Sequence, residues 1–584
     1  MTPVILPVDP ALPGLSIAQA TRAEPFLVEG DRVRFVGHQT RSGGQLLFRS
    51  SSGTTGMTAG VRAESIGHAA NLVLYPGVAR RDFSGSRGSV VETVVVPRTL
   101  PFLVWQLSGS TLEGTDTHVE IATPTAHPTV EPTSSGVVVR AGDIVLQLTL
   151  LPDPVDLTVT DSEGGILVTA RLPQSTPSTM VLASGTKAEV ESATRAAQHL
   201  GSHAVRAARG EDDVLHTRTG VDAVDEGLAW ALMRARTLMV ERPSAALSLG
   251  LAATSMGHEE GAARALARLR ASETMLVEAG LLAARIGSTT GDAGAAADLA
   301  DALLAGPDSL EPGLLVLAAT SLADALQYGA SPDTLAALRT LGSRNRSPTT
   351  SLRPAGGIAL PMAGASAGPG APTVTRAAWL EGLLAGDPGE PYVVEDVRAS
   401  RARRAASAFR SDPDRAWADW RALLDEGLAH GPAGPATWDD LYDFPGPGEG
   451  EGDDDRPAAT AEMILAFAHG MLGLSPDAPV GLLRLAPRMP AHLTSFAASG
   501  IPIGDGTIRM TYERTGNDVL YSLEPERIGV PPLLVFEPSA PGRVRGISVD
   551  GRAAELDLRS DAIQTLVPVQ LPLDGVRTLG FTID

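Results

Sequence analysis

Two adjacent carboxylates, Asp439 and Asp440, directly follow Trp438, and Tyr442 stands two residues beyond them. A carboxylate beside a bound molecule can take a proton from water or, if kept protonated, give one to a leaving oxygen. Flat aromatic faces next to it offer a stacking surface to sugar rings or bases. Aromatics make up only 4% of the chain, so their placement is informative. Of the eleven between residues 215 and 480, five are Trp417, Trp420, Trp438, Tyr442 and Phe444. A plainer reading stands beside each feature. Asp439 and Asp440 suit the solvated end of a loop, and Trp417 and Trp420, three residues apart, suit one inward face of a helix.

Other acids are less suggestive. Glu259, Glu260, Glu273, Glu395 and Asp396 fall where helices should begin, and there a carboxylate complements the helix dipole. Glu462 lies inside an amphipathic pattern and reads as structural. The chain has no cysteine, which removes disulfides, thiolate nucleophiles and thiolate metal sites. His199 and His203 are four apart but lack an acidic partner at ligand spacing. The acidic run 450–455 offers oxygen ligands to a cation such as calcium, yet without spaced ligands it reads as a solvated loop. No nucleophile elbow, Walker loop or dinucleotide fingerprint occurs, so no metal and no cofactor is expected. A formal net charge of -21 repels nucleic acid and anionic lipid, so neither is expected as a partner. No run of ~18 apolar residues spans a membrane, and the opening residues lack a basic leader pattern, so a cytoplasmic protein is expected.

Three textures must position these residues, in keeping with the several domains that 584 residues imply. From about 24 to 185, short alternating or β-branched runs such as Asp31-Arg-Val-Arg-Phe-Val and Gly136-Val-Val-Val-Arg alternate with turn residues, predicting an antiparallel β-sandwich. From about 186, apolar residues recur every three or four positions. Val224, Leu228, Leu232, Ala235 and Met239 form the clearest stripe, ended by Pro243. Further helices are expected at 244–256, 260–271, 273–287, 293–305, 312–328, 332–341, 375–385, 394–409, 413–428 and 457–473. Gly/Pro-rich loops interrupt them at 344–373 and 443–456. Without a fixed-period signature, paired helices closed into a ring are favoured over an open solenoid. Strand texture returns after 480, with an Asp550-Gly551 hairpin signal.

This order, with Gly481-Leu-Leu-Arg-Leu-Ala-Pro-Arg-Met-Pro490 leading into the last β-region, resembles the six-hairpin glycosidase superfamily. These (α/α)6-toroid proteins include rhamnosidase-like, trehalose or maltose phosphorylase-like and glycogen-debranching-like members. The likeness is sharpest over 430–515, from Ala436-Thr-Trp-Asp-Asp-Leu-Tyr-Asp443 through the helix beginning near Ala458 to the Leu-Arg-Leu-Ala-Pro-Arg strand. It is looser over 78–107, where Val90-Val-Glu-Thr-Val-Val-Val-Pro97 precedes an apolar strand.

The resemblance implies a β-sandwich over 1–190, a linker over 191–214, an (α/α)6-like helical domain over 215–478 and a small β-sandwich over 479–584. It implies an inverting glycoside hydrolase acting on an oligosaccharide or glucan-type glycoside, with two carboxyl groups ~6.5–9.5 Å apart. Asp439 or Asp440 would be the base, and Trp438, Tyr442 and Trp420 would contact the sugar. The chain departs from the pattern in two ways. Aspartate stands where glutamate is expected, and the early helix Ser244–Gly257 lacks the usual aromatic and acidic residues, leaving the general acid unassigned. No phosphate-cradling loop supports phosphorolysis. The alternative is a non-catalytic descendant that binds carbohydrate or a protein partner.

Overall fold

In a computed structural model, the described residues run from Leu15 to Asp584. They exclude 19–24, 50–54, 110–114, 124–127, 173–176, 198–214, 236–245, 306–311, 345–396, 430–455 and shorter gaps of one to three residues. The chain divides into a first unit of residues 1–212 and 426–450 and a second of residues 213–425 and 451–584.

The first unit is a β-sandwich. Nine strands lie side by side in one sheet, in the order Leu15–Ala18, His68–Tyr75, Val78–Gly85, Gly88–Val95, Phe102–Gly109, Ser178–Gly185, Ile144–Leu151, Gly136–Ala141 and Thr129–Thr133. Seven form the other, ordered Asp156–Ser162, Gly165–Arg171, Asp116–Ala122, Thr55–Ala63, Gly44–Arg49, Val33–His38 and Pro25–Glu29. Alternation decides which side chains go inside. Val33 and Phe35 on one strand, and Val137 and Val139 on another, are buried.

One polar network joins the two sheets. Arg81 and Glu92, on neighbouring strands of the nine-stranded sheet, form an ion pair that is almost wholly buried. The Glu92 carboxylate also accepts hydrogen bonds from the Trp105 indole (2.7 Å), the Ser42 hydroxyl (2.9 Å) and the Gly43 amide (2.8 Å). Arg81 donates in turn to the carbonyls of His38, Arg41 and Gly43. The partners at 38–43 belong to the turn that joins Val33–His38 to Gly44–Arg49 in the opposite sheet. Only glycine fits at 43, where φ is +78° and a Cβ would lie 1.8 Å from the Val61 carbonyl oxygen.

Helix α1 (Lys187–Ala197) ends this unit, where sequence texture placed the end of the sandwich and the start of a linker. A capping box explains its start. The Thr186 amide donates to Glu189 (2.8 Å), the Glu189 amide donates to the Thr186 hydroxyl (3.4 Å), and Glu189 also pairs with Arg32 (2.8 Å).

In the second unit the expected stripe Val224, Leu228, Leu232 and Ala235 is helical and buried, and Met239 lies outside the described residues. There follow α2 (Ala246–Met256), α3 (Glu259–Arg270), α4 (Leu276–Thr290), α5 (Gly294–Ala305), α6 (Pro312–Leu326), α7 (Pro332–Arg344), α8 (Val397–Ala408), α9 (Pro413–Ala429) and α10 (Arg456–Leu465). Helices α2, α4 and α6 lie side by side, and α3, α5 and α7 alternate with them as the other arms of the hairpins. Gly250 permits the close approach of α2 to α4, since a Cβ there would meet Leu282 at 2.5 Å. At the far end of the segment, α10 packs against both α8 and α2. None of the described helices is long and apolar enough to cross a membrane.

The rest of this unit is β-rich. Its seven-stranded sheet runs His216–Arg218, Ser495–Ile503, Gly506–Thr515, Asp518–Arg527, Arg577–Ile583, Val544–Val549 and Arg552–Ala553. A strand that precedes the helices thus pairs with one that follows them, His216 opposite Ser499. The expected Asp550-Gly551 turn is present, with Val549 opposite Arg552 and Asp550 at φ 51°. Leu482–Leu485, from the Leu-Arg-Leu-Ala-Pro-Arg segment, pairs in parallel with Leu533–Phe536 in a separate four-stranded sheet.

Candidate functional site

Of the residues singled out by sequence, Trp438, Asp439, Asp440, Tyr442 and Phe444 lie outside the described residues, as do Glu273, Glu395 and Asp396. Trp420 is described, and its expected role as a sugar contact is corrected. It sits on α9 with no exposed surface, so neither ring face can meet a ligand. Its indole N–H donates to the Met463 carbonyl on α10 (3.0 Å), and its ring stacks on Phe467 at 5.7 Å between centroids. Trp417 lies against it at 5.6 Å. The spacing of three did place both rings on one helix face, and that face points into the apolar core. Glu462 is buried and paired with Arg403 at 2.8 Å, a structural carboxylate as its pattern suggested. Glu260 pairs with Arg264 on the exposed side of α3.

Glu259 has a different setting. It opens α3 and lines a cleft of about 410 Å³ between helix ends and the seven-stranded sheet. The floor comes from the end of α2 (Thr254, Gly257), the start of α3 (Glu259, Ala262) and the end of α4 (Thr289, Thr290, Asp292). The opposite wall is the turn Gly504–Gly506, between two strands, with Thr507 and Arg527. The Gly504 amide donates to the Thr289 carbonyl (2.7 Å), which fixes this turn over α4. Three carboxylates, several hydroxyls and one guanidinium suit hydrogen bonding to a polyhydroxy ligand. No aromatic ring lines the cleft among the described residues, so it offers no stacking platform.

The helix before the last β-region is not uniform. After α10 the chain continues as one π-helical turn, Ala466–Met471, carrying Phe467 and His469. Sequence periodicity gave a single helix over 457–473 and could not show this change of pitch. The turn half-buries His469 between α2 and the strand that follows. His469 Nδ1 lies 2.8 Å from the Leu474 carbonyl, which can only accept, so Nδ1 carries a proton; Nε2 lies 2.8 Å from the Ser255 hydroxyl, which also donates to the Leu251 carbonyl (2.8 Å). Burial holds its pKa well below the usual histidine value, and the nearby Arg285 guanidinium depresses it further, against the opposing Leu474 bond. Arg285 is itself pushed down to about 10 by burial.

The sign of the resulting pH dependence follows. The folded state keeps His469 neutral where the unfolded chain would protonate it, so this contribution to stability is full above about pH 6.5 and is lost as the pH falls below it. The slope reaches at most about 1.4 kcal/mol per pH unit. Melting curves of wild type and His469→Gln between pH 7.5 and 5.5 should show a shallower decline in the variant; parallel declines would show that His469 titrates normally.

No family model matches the chain, and no curated protein matches it. Solved structures do. The chain is similar to a bacterial glucoamylase complexed with acarbose, at 10% identity and TM-score 0.45 over 80% of this chain and 96% of that one. It is similar to a provisionally assigned kojibiose phosphorylase from the human microbiome, at 8% identity and TM-score 0.43 over 95% and 91%. A family 92 glycosyl hydrolase matches at 11% identity and TM-score 0.37, over 92% of each chain.

Ser255 meets His469 where α2 and the π-turn finish, at the rim occupied by the cleft.

Proposed function

We propose that the protein is carbohydrate-active and that its helical segment closes into an (α/α)6-type ring. The observation that carries this reading is the packing of α10 against α2, which brings the end of the helical segment back to its beginning. A linear solenoid would keep them apart. The order of sandwich, paired helices and β-rich region, with Leu482–Leu485 directly after the last helix, agrees with the sequence resemblance.

The reaction proposed is hydrolysis of an oligosaccharide or glucan-type glycoside with inversion. Asp439 or Asp440, ionised, would take a proton from water as it attacks the anomeric carbon, while a second, protonated carboxyl gives its proton to the leaving oxygen. Trp438 and Tyr442 would stack on the sugar. A second reading, a non-catalytic carbohydrate-binding protein, is favoured by one finding: Trp420 belongs to the core and adds nothing to a stacking surface.

A panel of nitrophenyl glycosides and α-glucans tests both. Hydrolysis that falls roughly a hundredfold in Asp439→Asn or Asp440→Asn supports the enzyme. Hydrolysis untouched by either change removes these aspartates from the mechanism. Saturable oligosaccharide binding without turnover by wild type supports the second reading.

A further inference from the structure

We propose that the cleft between the ends of α2 and α4 and the turn Gly504–Gly506 binds a protonated primary amine carried on a hydroxylated ligand, the chemistry of an amino sugar. The site shares no residue with Asp439 and Asp440 and does not depend on their role. Its volume of about 410 Å³ falls within the roughly 300–1,000 Å³ of small-molecule sites.

Charge in the cleft is one-sided. Glu259, Asp292 and Asp505 line it, and no ion pair engages any of the three among the described residues. Asp292 is oriented by the Gly294 amide (2.9 Å), which leaves its charge in place. Arg527, the guanidinium of the lining, is already engaged with another partner. The backbone adds to the imbalance. Two helices, α2 and α4, finish at the floor with their carbonyl ends, whereas only α3 begins there. An ammonium is favoured here over an anion.

A second observation lies deeper. Thr289 is only 2% exposed and lines the cleft, yet its hydroxyl has no hydrogen-bond partner in the protein. The omission is particular to this residue. Ser288, Thr290 and Thr254 each donate to the carbonyl four residues earlier, at 3.0, 2.9 and 2.8 Å. A buried hydroxyl left unpaired is costly, and a donor entering the cleft satisfies it. An ammonium has three donors and no acceptor, so one hydrogen can serve the Thr289 oxygen while the others face carboxylates. Thr254 and Thr290 have committed their hydrogens and keep lone pairs for the hydroxyls of a ligand. The bond from the Gly504 amide to the Thr289 carbonyl (2.7 Å) holds the two walls in register before anything binds.

Calorimetric titration of the full-length chain with glucosamine hydrochloride, beside glucose and putrescine dihydrochloride at matched ionic strength, is the test. Glucosamine is expected to saturate one site and to bind at least about tenfold more tightly than glucose, the ordinary advantage of hydrogen bonds to a charged group. Putrescine, which has the charge without the hydroxyls, should bind more weakly than glucosamine. The double variant Glu259→Gln/Asp505→Asn should lose about tenfold or more in glucosamine affinity. Thr289→Val should lose several-fold while its ligand-free melting temperature stays level or rises, because an unpaired hydroxyl has gone; a merely structural threonine would lower it. Glucose binding as tightly as glucosamine, putrescine binding more tightly than glucosamine, or one dissociation constant shared by wild type and both variants would overturn the proposal.

Discussion

Arg81→Met is expected to destabilise the sandwich of the first unit by about 3–5 kcal/mol, because it strands the Glu92 carboxylate in a site without solvent. The buried pair itself need not be strongly stabilising, since both charges give up hydration to enter the core. Breaking it is what costs. Burial pulls the Arg81 pKa below its usual value while Glu92 opposes that pull, the pattern of a cation kept charged by its partner. Glu92→Gln should be similarly harmful, leaving Arg81 buried with only carbonyl acceptors. The double variant Arg81→Met/Glu92→Gln separates charge from packing. It should lose less than the sum of the single changes, because no isolated charge remains. Urea denaturation and calorimetry on the full chain give the comparison; additive losses would mean that the two side chains stabilise the sandwich independently.

Trp420→Ala should cost the second unit about 3–5 kcal/mol, the usual penalty for deleting a large aromatic side chain from a packed core. The indole touches Trp417 and Phe467, and its N–H serves the Met463 carbonyl, so three elements lose contacts together. Trp420→Phe keeps most of the apolar area and forfeits the hydrogen bond, for which about 1 kcal/mol is expected. The same pair of variants tests whether the Trp420 ring serves the core or a ligand. A ring that stacks on substrate at a cavity mouth would leave the melting temperature nearly unchanged on truncation, while sugar binding alone declined.

Local pattern announced much of the fold. The 3.6-residue stripe from Val224 to Ala235, the alternation along Val33–His38 and the Asp550-Gly551 turn are each written in a few neighbouring residues, and each is present. What sequence could not supply depends on contacts between distant segments. Glu92 was quoted only as part of an apolar strand; its partners at 42, 43, 81 and 105 are assembled by pairing within one sheet and packing across to the other. The cleft wall combines residues near 257, 289, 505 and 527, which share no motif. Spacing showed that Trp417 and Trp420 share a face, but only the packing of α9 shows that the face points inward. The π-turn has no periodic signature, since one extra residue per turn over a single turn leaves the apolar pattern almost unchanged.

The pairing of His216–Arg218 with Ser495–Ile503 has a consequence for synthesis of the chain. An edge strand made before the first helix of the second unit must wait, unpaired, until every helix of that unit and the opening of the last β-region have left the ribosome. The closure entropy of so long a loop is met only then, so the second unit should complete folding late and as a whole. Nascent chains arrested before residue 495 would carry that strand exposed and should be sensitive to protease there, and those released after residue 527 should be protected.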